Sequence, residues 1–121
     1  MSKGVDFGYK SEAEMFFDLW NKAKEKGDII CPFTKRRLNH LQNTRFIYNC
    51  FAHILPKGRF PYWKLNPDNI RIVFPEFHRI VDRGTTKDRS MYPEWNFEAW
   101  DKLYEEKKKE YEQFKINNQL S

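Results

Sequence analysis

At 121 residues the chain is long enough for one hydrophobic core and too short for two. A composition 40% hydrophobic and 32% charged excludes a disordered polymer, and no apolar run reaches the length of a membrane span. The net charge of +5 favours an anionic partner, nucleic acid first among them, and with no apolar run of span length no membrane partner is expected.

The first ten residues, with Gly4 and Gly8 and little periodicity, read as an irregular arm. Ser11-Glu12-Ala13-Glu14 has the form of a capping box, a hydroxyl followed three residues later by Glu. Ala13, Phe16, Phe17, Trp20 and Ala23 then recur at helical spacing and Gly27 is a natural stop, which predicts a helix over about 12–26. Residues 28–49, with Cys31-Pro32-Phe33-Thr34 and Arg36-Arg37, read as a loop or short turn, and Arg45-Phe46-Ile47-Tyr48 as a lead into extended chain. Two cysteines, Cys31 and Cys50, make no disulfide framework; with no basic leader ahead of an apolar stretch, a cytoplasmic protein with reduced thiols is expected.

Phe51-Ala52-His53-Ile54-Leu55 is apolar enough for a short strand, ended by Pro56 and Gly58. Arg59 to Asp68 mixes aromatic, basic and proline residues as a loop does, and Asn69 to Phe74 alternates as a second strand. Pro75 suits the first turn of a helix that continues through Arg83 to Gly84, followed by a polar break from Gly84 to Ser90. The last helix is expected over about 96–115, with Trp100, Leu103, Tyr104, Tyr111 and Phe114 on its apolar side, Lys107 interrupting them, and residues 116–121 as a frayed tail. The fold class expected is α+β, one domain over 1–121 whose core at about 28–88 is flanked by the two longer helices.

The informative stretch is strand, loop, strand, short helix, with His53 on the first strand, Asn69 opening the second and His78 on the helix. Hydrolysis of a phosphodiester needs an activated water, a cation for the developing charge and a positioned leaving oxygen. A histidine, with an unperturbed pKa of roughly 6.5, is a natural base for the water near neutrality. A metal ligand on the helix, facing that base across a hairpin, would place an ion against the same phosphate.

The pattern Ala52-His53-Ile54-Leu55-Pro56, then Asn69-Ile70, then His78 resembles the HNH or ββα-metal nuclease family. The whole string FAHILPKGRFPYWKLNPDNIRIVFPEFH is most similar to the NinG-like HNH proteins associated with phage recombination, over roughly residues 28–88. The resemblance implies a ββα-metal core and an endonuclease hydrolysing DNA, more than RNA, phosphodiesters with one divalent cation, Mg²⁺ or Mn²⁺; a phage-encoded member would act in its bacterial host. It makes His53 the general base, His78 a metal ligand, and Asn69 either the residue that holds the base and loop in place or a ligand itself. Asp82, four residues after His78 on the same helical face, takes the place of a second helix ligand.

Two departures from the family pattern stand out. The residue before the base is often a metal-binding His or Asp, and here it is Ala52. Many relatives also hold a structural zinc with two CxxC pairs, but Cys31-Pro32-Phe33-Thr34 and Phe74-Pro75-Glu76-Phe77 keep one of those four positions, so no structural zinc is expected. Ala52 leaves open a catalytically inactive nucleic-acid-binding module on an HNH scaffold, or a structural module, whether monomer or homodimer. Lys57, Arg59, Lys64, Arg71, Arg79 and Arg83 surround the motif as candidate phosphate contacts, and Phe60, Tyr62 and Trp63 are candidates either for stacking on bases or for packing the loop. His40 is expected at the surface outside the site.

Overall fold

In the computed structural model, which describes residues 5–121, helix α1 spans Glu12–Glu25. Ser11 caps it, its Oγ accepting the Glu14 N–H at 3.2 Å. Gly27, at φ +125°, supplies the left-handed backbone that ends it. Of the irregular arm expected over residues 1–10, residues 1–4 lie outside the described residues, and 5–10 form neither helix nor strand. The buried stripe of α1 is Met15, Phe16 and Trp20; Ala13 and Phe17, expected on that face, are exposed, Phe17 to 73%. The helix is rotated because it is clamped through Phe16, whose ring stacks on Phe51 at 4.4 Å, and through Trp20, edge-on to the same ring at 6.2 Å.

The segment after α1 folds back on itself rather than looping freely. Ile30 bridges Arg37, the Cys31 N–H donates to the Arg36 carbonyl at 2.9 Å, and Lys35 turns the chain at φ 65°. Short 3-10 turns follow at Asn39–Leu41 and Ile47–Cys50, the second replacing the extended chain expected at Arg45 to Tyr48.

Strand β1, Phe51–His53, pairs antiparallel with β2, Ile70–Ile72, in the register Phe51↔Ile72, Ala52↔Arg71, His53↔Ile70. Directly opposed residues share a face, so Ala52 and Arg71 lie on one side of the hairpin and His53 and Phe51 on the other, beneath α1. Both strands are shorter than the sequence suggests. Asn69 does not open β2; it closes a 3-10 turn, Pro67–Asn69, and another turn, Pro61–Trp63, fills the expected loop.

Helix α2, Pro75–Arg83, starts at its proline and stops where expected. A side chain at Gly84 could not be fitted, since a Cβ there would lie 2.7 Å from the Ile80 carbonyl oxygen. The expected polar break contains a short helix α3, Thr86–Ser90, started by a complete Thr85–Asp88 capping box. Helix α4 spans Phe97–Asn117, with the Asn96 Oδ1 accepting the Ala99 N–H at 3.0 Å.

Phe77 of α2, fully buried, is the hub of the main core. It stacks on Phe33 at 4.9 Å and on Phe97 at 5.0 Å, with Trp95 and Trp100 edge-on. A second cluster of Leu55, Phe60, Trp63 and Tyr111 pins the inter-strand loop to α4. The architecture is α+β, and among the described residues no helix is long and apolar enough to cross a membrane.

Candidate active site

His53 ends β1 with its side chain 13% exposed. Its Nε2 lies 3.0 Å from the Lys64 carbonyl oxygen. A carbonyl only accepts, so Nε2 carries the proton, and the neutral ring keeps its lone pair on Nδ1. Glu12, from the first turn of α1, places Oε2 3.4 Å from the same Nε2. Its two oxygens also accept from the Lys57 ammonium at 2.8 and 3.0 Å. Burial, the largest influence, pushes the His53 pKa below its ordinary value; the Lys64 carbonyl and the Glu12 carboxylate oppose this, and Lys57 and His78 add to it. The ring is therefore a neutral base at neutral pH.

His78 of α2 is fixed in the complementary way. Its Nδ1 donates to the Asn49 carbonyl at 2.7 Å, which leaves Nε2 as the lone-pair nitrogen. A backbone carbonyl behind a ligating histidine is the usual means of setting its tautomer and ring direction. Asp82 lies one turn further along α2 and is exposed. His53, Glu12, His78 and Asp82 line one cavity of about 380 Å³, walled on its apolar side by Phe16, Tyr48 and Trp100. His78 and Asp82 also border a second cleft with Arg79 and Arg83. The α2 pair thus stands between the cavity that holds His53 and a cleft with two guanidinium groups.

Asn69 stands apart from this group. It is fully buried, its Oδ1 accepting the Leu55 N–H at 2.9 Å and its Nδ2 donating to the Leu55 carbonyl at 3.0 Å. With both ends of the amide bonded to backbone and no open face, it cannot serve as a metal ligand. It fixes the chain that leaves β1 two residues after His53.

Ala52, 1% exposed, shares the opposite face of the hairpin with Arg71. Arg71 is accordingly not placed to share a phosphate with His53, and its Nη1 donates to the Asp68 and Ile70 carbonyls. The remaining basic residues do not form one patch. Lys57 is paired with Glu12, Arg79 makes a two-point pair with Glu76 at 2.7 and 3.0 Å, Arg59 lies over the Phe60 ring, and Lys64 contributes its carbonyl while its side chain stays exposed. Of the three loop aromatics, Phe60 and Trp63 are buried edge-on to Tyr111 at 5.1 Å, and Tyr62 is half-buried beside the same ring. Phe60 and Trp63 pack the loop and are closed to stacking. His40 is exposed, as expected.

Phe77 fills the core and Phe74 lies beneath the Arg36 guanidinium at 4.7 Å. Cys31 and Cys50 are buried free thiols, and burial pushes the Cys50 thiol up to about 12.

Glu12 is the site residue that the sequence concealed. It lies 41 positions before His53, and Ser11-x-x-Glu14 accounts for the local acidity as helix capping, so nothing in the spacing marks it. Compared with known proteins, the chain matches no family model, no curated protein and no solved structure.

Proposed function

We propose that the chain is a metal-dependent HNH-type endonuclease that hydrolyses nucleic-acid phosphodiesters, DNA in preference to RNA, on a ββα core formed by β1, β2 and α2. The observation that carries this reading is the paired fixing of two histidines on one cavity. His53 is tied through Nε2 and His78 through Nδ1, so each keeps the other nitrogen free.

In the reaction, His53 Nδ1 takes a proton from a water molecule as that water attacks phosphorus, the opposite P–O bond breaks, and the leaving sugar oxygen takes a proton from solvent. Imidazolium formed there is stabilised by the Glu12 carboxylate beside it. Glu12 is a positioning residue, since it acts through the ring. Asn69 holds the backbone behind the base, and Lys57 stands near enough to meet a phosphate oxygen in exchange for Glu12. A divalent cation would be held by His78 Nε2 and the Asp82 carboxylate, with water and phosphate oxygens completing its shell, a donor set that suits Mg²⁺ or Mn²⁺ in the absence of a third protein ligand at Ala52. When bound, it supplies positive charge for the phosphorane-like transition state and polarises the scissile phosphate.

The test is nicking of supercoiled plasmid by purified protein with Mg²⁺ or Mn²⁺, with and without chelator. Cutting is expected with metal, lost with chelator and lost in His78→Ala. Salt-dependent binding without any cutting would instead favour the inactive module.

Glu12→Gln provides a second check. His53 must be neutral to act, so activity rises with pH through its pKa, which lies below the ordinary histidine value. The carboxylate raises that pKa, so its removal is expected to move the acid limb of the kcat/KM profile to lower pH while lowering the plateau by about tenfold, the order of one charge-assisted contact. An unmoved acid limb would remove Glu12 from the site.

A further inference from the structure

Phe60 and Trp63 of the loop are packed away, yet the molecule keeps bulky rings at its surface in another place. Phe17 of α1 is 73% exposed and Tyr48, just ahead of β1, is 60% exposed. The two border a slot of about 210 Å³ beside the reaction cavity. Phe16, Tyr48 and Phe51 wall both spaces, so the slot and the cavity are adjoining chambers divided by shared rings.

The slot is not simply an apolar groove. Asn21, Gln42 and Asn43 edge it with side-chain amides. Gln42 is oriented by its Oε1, which accepts from Trp20 Nε1 and from Lys24 Nζ, both at 3.2 Å. Its Nε2, and the amides of Asn21 and Asn43, have no protein partner among the described residues. Aromatic walls edged by three amide-bearing residues, with the Lys24 ammonium bonded to Gln42 beside them, match one class of ligand. A nucleobase has two π faces, a hydrogen-bonding edge and an anionic backbone. A lipid tail, with neither donor nor acceptor, would leave the three amides unpaired.

We propose that this slot receives one unpaired nucleobase of the strand whose phosphate lies in the His53 cavity, so that the preferred substrate is single-stranded or locally opened nucleic acid. The base lies against Phe17 and Tyr48 and meets the amides with its edge, and its own strand passes over Tyr48 into the cavity. Inside a duplex every base is stacked and paired, and entry would require its extrusion. This inference rests on the nuclease reading for the phosphate's position, and the test separates the two.

Equilibrium binding is measured in chelator, where no cutting occurs, with a short single-stranded oligonucleotide bearing a fluorescent adenine analogue and with its duplex. The single strand is expected to bind at least about tenfold more tightly, with the fluorescence quenched on binding. Phe17→Ala and Tyr48→Ala, both surface changes that leave the core intact, are each expected to weaken single-strand binding by about tenfold, the scale of one lost base–aromatic stack. Equal affinity for the two forms, or full affinity in both variants, would overturn the slot even if plasmid cutting stands. A concentration-dependent dimer dissolved by Phe17→Ala would also overturn it, by showing that a second copy covers the rings. Intact slot binding with no cutting under any metal would retain the base site and remove the nuclease reading.

Discussion

His53→Ala is expected to lower the rate of metal-dependent cleavage by about 10²–10⁴-fold, the usual contribution of a positioned general base. The size of the effect follows from how completely the ring is committed. Nε2 is held by the Lys64 carbonyl, the ring edge rests on Phe16 at 6.2 Å, and burial favours the neutral form, so the ring is fixed and unprotonated for this task. His78 is turned by Asn49 toward a different task, and Glu12 is engaged by Lys57. Nucleic-acid affinity in chelator should stay within about twofold, because the ring meets water and not the strand in the ground state. Cleavage by His53→Ala at the full rate would remove this residue as the base. A loss of activity that merely tracked a loss of folded protein, read by circular dichroism, would assign it a structural role instead.

Asn69→Ala should have the largest effect on stability of any polar replacement. The amide satisfies both backbone groups of Leu55, which is itself fully buried, and alanine leaves an N–H and a C=O without partners or water. Each orphaned group costs about 1–3 kcal/mol, so a loss of about 2–6 kcal/mol is expected, against a total of about 5–15 kcal/mol for a domain of this size. Urea denaturation checks it. The midpoint should fall sharply, and any protein that remains folded should cut poorly, because the chain leaving β1 is no longer held. A change below about 1 kcal/mol would mean that the Leu55 groups find other partners and that Asn69 does not set this backbone.

Much of this arrangement was legible in the sequence, for reasons that can be located. The start and end of α1 followed from Ser11 and Gly27, and α2 from Pro75 and Gly84, because capping chemistry is local. The order of hairpin and helix followed from alternation in Ile70 to Ile72 and from the break at Pro56. The strands are shorter than their alternation implies because Asn69 bonds the Leu55 backbone through its side chain, which an alternating run does not reveal. Helix α3 is hidden in the sequence because its five residues lie in a polar run, although Thr85-x-x-Asp88 is itself a capping box. The register was the costliest omission. Alternation alone puts Ala52 on the face away from His53, but which face Arg71 shares depends on the register with the partner strand, and the sequence does not give it. Residues brought in from a remote helix, Glu12 for the base and Phe17 for the slot, left no trace in motif spacing at all.

The proposed centre joins two half-sites, a base on β1 and a ligand pair on α2, and a crystal structure determined with Mn²⁺ tests that union most directly. One ion is expected on His78 Nε2 and the Asp82 carboxylate, carrying a water within hydrogen-bonding reach of His53 Nδ1. An ion bound elsewhere, or His78 and Asp82 left bare at a Mn²⁺ concentration that supports cleavage, would contradict it.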